Sequence, residues 1–203
     1  MGRYASDSGG GSFTPAPVGT HVARCFRIVD LGTQHGEYKG QPTRRNQVLV
    51  SWELPDELIE IEGEQRPVTT SKFYTNSLGE KANLRRDLES WRGRSFTEDE
   101  LRKFDLEGIL GKPCMLTVVG GENGKTKVAT VSGVPKNTVC PQPFNPPSAF
   151  WLDEFDQDKY DELSDGLKKI IEKSEEYPQI MNGVYQQSEP EGRTDMSDDE
   201  IPF

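Results

Sequence analysis

The chain has 203 residues, with 24 lysines and arginines against 34 aspartates and glutamates, for a formal net charge of −10. Only 33% of it is hydrophobic while 29% is charged, a balance that fits one folded body with poorly folding additions better than a uniform globule. No stretch approaches the roughly 18 apolar residues of a membrane helix, and the first six residues lack the apolar segment of a secretory signal.

The cysteines, Cys25, Cys114 and Cys140, are odd in number and far apart, and the histidines are only two, His21 and His35. They form no zinc-ligand spacing and are expected to be free thiols of a reducing compartment. Neither a metal nor a cofactor is expected.

The charge is uneven. Residues 1–140 hold 19 basic and 18 acidic residues, whereas residues 141–203 hold 5 and 16. A near-neutral body therefore carries a strongly acidic final third, and such a body can bind an anion despite the overall sign.

Residues 1–17, with a GGGS run and a Pro-Ala-Pro, are expected to be a flexible leader. Residues 22–29 predict the first strand, with Val22, Phe26 and Ile28 on one parity. A polar loop is expected over 32–46. Residues 47–54 predict the second strand, with Val48, Val50, Trp52 and Leu54 on one face and Leu49, Ser51 and Glu53 on the other. An acidic connection follows, ending at Gly63. The β-branched and aromatic content of 66–75 predicts a third strand.

The period then changes. Ser77 and Glu80 have capping-box spacing and predict a helix start there, with Leu84, Leu88 and Trp91 as its apolar stripe and Gly93 as its stop. Thr97 and Glu100 predict a second start, with Phe96 and Leu101 as a hydrophobic staple. Strands are expected over 113–119 and 125–134. The order β-β-β-α-β-β across 18–134 is that of the five-stranded OB-fold barrel with a helix between strands 3 and 4. A generic five-stranded α+β domain is the alternative. The fold expected is mainly β, with the barrel domain spanning 18–140.

Residues 141–180 are expected to be a proline-rich linker and a docking helix. Four prolines fall within 141–147, an aromatic cluster follows at Phe150, Trp151 and Phe155, and Tyr160, Leu163, Leu167 and Ile170 predict an amphipathic helix over 158–173. That stretch is too apolar to stay solvated, so it docks on the barrel or on a second copy of the protein. Residues 181–203 are expected to be a disordered acidic tail.

The glycine-rich run at 120–126 is a hairpin turn rather than a phosphate loop. The phosphate-loop spacing needs glycine where Val119 stands, and a β-like segment follows instead of a helix. The carboxylates at 53–64 have no partner histidine and are not read as a metal site. Basic and aromatic residues carry more information. A single strand is held by lysines and arginines along its phosphates and by aromatic faces under its bases. In an OB barrel that groove crosses strands 2 and 3 between the 1–2 and 4–5 loops. Those elements supply Tyr38, Lys39, Arg44, Arg45, Trp52, Lys72, Phe73, Tyr74, Lys125 and Lys127. Phe73 and Tyr74 point to opposite faces, so one belongs to the groove and the other to the core. The last six residues, Asp198, Asp199, Glu200, Ile201, Pro202 and Phe203, combine acids with an apolar end suited to capture by a basic-rimmed pocket.

Those six residues resemble the acidic tip of bacterial single-stranded-DNA-binding proteins. The body is similar to single-stranded-DNA-binding proteins of tailed bacteriophages, through KANLRRDLESWRGR at 81–94, SWELPDE at 51–57 and LSDGLKKIIEKS at 163–174. The resemblance implies an OB barrel without catalytic activity. Its implied role is to bind and protect single-stranded DNA in phage replication, recombination and repair, inside the cytoplasm of an infected host. Its tip is implied to recruit replication or recombination proteins. An adaptor whose barrel binds protein, and a metal-dependent nuclease using the 53–64 carboxylates, are the competing readings.

Overall fold

A computed structural model of the chain describes residues 14–121 and 124–183. Three long strands dominate it: β1 (Gly19–Tyr38), β2 (Gln41–Ile61) and β3 (Glu64–Thr75). Two further strands, β4 (Pro113–Gly120) and β5 (Thr126–Ser132), follow a helical stretch made of α1 (Asn83–Arg92), α2 (Glu98–Arg102) and a short 3-10 turn (Leu106–Ile109). The final part holds a short strand β6 (Ser148–Phe150) and the helices α3 (Gln157–Asp161), α4 (Asp165–Ile171) and α5 (Glu176–Met181).

The strands form one sheet in the order β3-β2-β1-β4-β5, all antiparallel to their neighbours, with β6 added parallel to β1. The protein is mainly β, and the sheet is open. No backbone ladder joins β3 to β5, the two ends of the path; instead the Lys72 ammonium on β3 donates to the Ala129 carbonyl of β5 at 3.3 Å.

β1 and β2 are far longer than their apolar cores. Residues 32–46, expected to be a loop, are a paired two-stranded arm that turns at Lys39 and Gly40. Both turn residues have positive φ, 53° and 76°, as a tight hairpin following the strand twist requires. The acidic connection is likewise a hairpin, turning at Glu62 and Gly63 with φ of 54° and 82°. The β1–β2 arm escapes the apolar-alternation signal because solvent reaches both faces of its outer part; the β2–β3 arm buries only part of one face, where Ile59 packs against the inner core.

The helical expectations also change in detail. α1 starts at Asn83, and Ala82 caps it without a side-chain bond; the Ser77 hydroxyl instead accepts from the Gly79 amide. Its stripe is as expected, with Leu84 and Leu88 buried and Trp91 packed against the same core. The Thr97–Glu100 capping box is present. Residues 158–173 are not one helix: α3 and α4 are separated at Glu162–Ser164, and Ile171 rather than Ile170 is the fully buried residue.

Two apolar clusters meet across the sheet. The first lies inside its curl and holds Ile28, Val48, Val50, Trp52, Leu54, Leu116 and Val131 with Leu84 and Leu88 of α1. The second lies on the outer face, where Val29, Leu31 and Leu49 are covered by Phe150, Leu152, Tyr160, Leu163, Leu167 and Ile171. The segment 148–181 is therefore docked on the protein's own sheet. A strap leads to it. Arg24 donates to the carbonyls of Gly111 and Pro141 at 2.7 Å each, and the fully buried Glu53 carboxylate accepts from the amides of Phe144 and Asn145 at 3.1 and 2.9 Å. Arg24 and Glu53 are cross-strand partners, so two opposite charges side by side grip the strap by its carbonyls and its amides. The three cysteines are free, and burial pushes the Cys25 thiol up to about 12.

Candidate nucleic-acid interface

The part of the outer face left uncovered is set by register. Arg27, Ser51 and Ser71 lie side by side across β1, β2 and β3, and Val29, Leu49 and Phe73 form the next row. Gln47 and Thr75 follow, with Arg45 further along β2. Val29 and Leu49 are sealed beneath the C-terminal helices, whereas Phe73 is 54% exposed. An open groove of about 490 Å³ begins beside this row, lined by Arg45, Thr75, Ser77, Glu80 and Lys81. At the far end of the β1–β2 arm stand Tyr38, 59% exposed, and Lys39, whose ammonium lies 5.4 Å from the Tyr38 ring centre.

The ten residues singled out from the sequence separate into three groups. Arg45, Phe73, Tyr38 and Lys39 are exposed on the outer face or its arm. Lys125 and Lys127 are exposed on the β4–β5 hairpin. The other four are engaged by the protein itself. Trp52 is 1% exposed in the inner cluster, its ring centre 6.3 Å from that of Trp91, and offers no face to a base. Tyr74 is buried too, its hydroxyl donating to Asp87 at 2.8 Å; burial and the Asp87 charge push that hydroxyl far above the usual phenol range. Lys72 donates to the same Asp87 carboxylate at 2.6 Å, so β3 is pinned to α1 by one buried acid shared between two donors. Arg44 is exposed but already holds a carboxylate: its Nε and Nη2 donate to Glu175 at 2.6 and 2.5 Å. His35 Nε2 lies 2.6 Å from the same carboxylate, and the Arg44 bonds hold the Glu175 carboxyl below its ordinary range.

Sequence reasoning missed Lys81 as a groove residue, since it sits in a loop whose path depends on where α1 begins. The acids of 53–64 do not converge. Glu53 faces the strap, Glu57 lies 3.1 Å from His21, and Glu64 pairs with Arg66. Among the described residues, no three His, Cys, Asp or Glu side chains come together as metal ligands. The segment Asp198–Phe203 lies outside the described residues.

No protein-family model matches the chain, and no curated protein matches it.

Proposed function

We propose that this protein binds single-stranded DNA on the outer face of β2 and β3, and that its sheet is an OB barrel whose β3–β5 seam is bridged by side chains. The carrying observation is Phe73, an exposed aromatic ring beside a groove containing Arg45 and Lys81. A base stacks on the ring while its phosphates follow the two cations, which is how single strands are held without sequence preference. Lys72 and Asp87 bridge β3 to β5 and α1 at the seam where a closed barrel would have a ladder. The stretches that resemble phage single-stranded-DNA-binding proteins support the reading by their places: 81–94 forms one groove wall and α1, 51–57 lies in β2, and 163–174 spans α4. In this reading the protein coats DNA during replication, recombination or repair, and the tip Asp198–Phe203 recruits partners.

Titration of the full chain with fluorescent oligo-dT at two salt concentrations tests it. Tight binding that weakens steeply with salt is expected. A salt-insensitive or absent signal favours a protein-binding adaptor, and shortening of the oligo on adding Mg²⁺ favours a nuclease.

A further inference from the structure

The outer face has a second opening on the other side of Phe73. A cavity of about 240 Å³ lies between β1, β6 and α3, with Phe26, Phe150 and Leu163 as apolar wall and Arg27, Ser148 and Lys159 as polar lining. Arg27 differs from most of the arginines here. Those at 24, 44, 66, 85, 92 and 94 donate to carboxylates or carbonyls. Arg27 makes no hydrogen bond or ion pair among the described residues, and its Nε is buried without an acceptor. Among the described residues its guanidinium makes one cation–π contact, with the Phe26 ring at 5.4 Å from the ring centre. A buried donor on a half-buried cation is costly to leave without an acceptor, and an entering anion offsets that cost. Burial alone draws the guanidinium's pKa down, consistent with a site built for a partner. Lys159 donates to the Ala149 carbonyl at 3.1 Å and keeps its other N–H groups for the cavity. Glu162 is the one acid in the lining.

We propose that Arg27 and Lys159 form a phosphate-binding pocket that takes a backbone phosphate of the bound single strand, making the docked C-terminal segment part of the DNA site. This rests on the function proposed above. Arg27 lies two strands from Phe73 and two residues along. With strands about 4.8 Å apart and a rise of about 3.3 Å per residue, the separation is roughly 12 Å. One or two nucleotides of an extended single strand span that distance, so a strand stacked on Phe73 and held by Arg45 and Lys81 has the length to place a phosphate in the pocket. Guanidinium and ammonium together match the fork and point-charge contacts that a phosphodiester oxygen pair accepts.

The test compares the full chain with Arg27→Gln, Arg27→Lys and Lys159→Gln in oligo-dT titrations over a range of salt. Arg27→Gln and Lys159→Gln are each expected to weaken binding and lower the slope of log K against log salt by about 0.7, one phosphate contact on a single strand. Arg27→Lys keeps the slope and loses part of the affinity. Because Arg27 has no hydrogen-bond or ion-pair partner among the described residues, Arg27→Gln is expected to leave Tm unchanged or raised. Unchanged affinity and slope in both charge-removing variants, with the parent binding normally, overturns the pocket and leaves the groove reading standing. A parent that binds no oligo overturns the groove reading. The pocket is then judged on inorganic phosphate: movement of the Arg27 Nε–Hε NMR signal that is lost in Lys159→Gln upholds an anion site, and a signal that phosphate leaves in place overturns it.

Discussion

Phe73 and Tyr74 are adjacent in sequence and occupy opposite environments, one ring 54% exposed on the outer face, the other buried and bonded to Asp87. Strand alternation fixes that they differ; which one faces inward is decided by α1, whose Asp87 accepts both the Tyr74 hydroxyl and the Lys72 ammonium. Their alanine variants therefore fail differently. Phe73→Ala is expected to cost about 1–3 kcal/mol of DNA binding and to leave stability within about 0.5 kcal/mol, as a lost stacking platform on a surface does. Tyr74→Ala is expected to cost about 3 kcal/mol or more of stability, as deletion of a buried ring does. Oligo titration and thermal melts on both variants separate the roles, and a Phe73→Ala protein that melts far lower than the parent would make Phe73 structural. Asp87→Ala strands the Lys72 charge, whose side chain is 18% exposed, and removes the acceptor of Tyr74. The expected loss is about 3–5 kcal/mol of unfolding free energy in denaturant titration, and a loss under 1 kcal/mol would show that β3 is held to α1 by packing alone.

The strand cores were legible wherever one face meets an apolar cluster, as at Val48, Val50, Trp52 and Leu54. The arms of β1–β2 and β2–β3 were not, because they bury little apolar surface and their turns use Lys39-Gly40 and Glu62-Gly63 rather than Asn-Gly. The candidate groove was legible in part for the same reason. Composition located the cations, but only register and docking show that Arg44 is occupied by Glu175 and that Arg27, on the outer face, has no partner among the described residues. Gly32 is where β1 and the C-terminal segment are pressed together. Its φ is +68°, and a Cβ there would lie 2.6 Å from Ser174 Cβ and 2.7 Å from Leu152 Cδ1. Gly32→Ala is expected to lower Tm and to speed amide exchange across 157–181, since the segment must lift to make room. Exchange unchanged in that stretch would mean the contact relaxes without undocking. At α2, Glu100 accepts from Arg94, from the Thr97 amide and from Arg92, which hold its carboxyl at about 2 against an ordinary 4.5. The folded value is the lower one, so its contribution is complete above about 4.5 and is lost as pH falls toward 2. A Glu100→Gln protein should show a smaller fall in Tm across that window than the parent, and parallel curves would discount this carboxylate.

Across the whole molecule the dominant asymmetry is charge, 19 basic and 18 acidic residues up to Cys140 against 5 and 16 beyond it. Part of that acid is already folded onto the body, where Glu175 occupies Arg44 and His35 and Glu176 accepts from the Thr33 amide at 2.7 Å. The body thus tolerates carboxylates next to the proposed DNA path. Residues 186–203 add six acids and one arginine on the same chain, at the high effective concentration that tethering gives. By charge alone they are expected to compete with DNA phosphates for Arg45, Lys81 and their neighbours. Deleting 186–203 is expected to tighten oligo-dT binding at low salt. The gain should fade as salt rises, because the Debye length shortens from about 30 Å at 0.01 M to about 10 Å at 0.1 M. Phe203→Ala, which leaves every charge in place, should not reproduce the gain, though it should abolish capture of a partner that needs the apolar ring. Equal affinities for the truncated and full chains at low salt would show that the acidic segment does not reach the groove. A gain from Phe203→Ala as large as that from the deletion would replace charge competition with a specific ring contact.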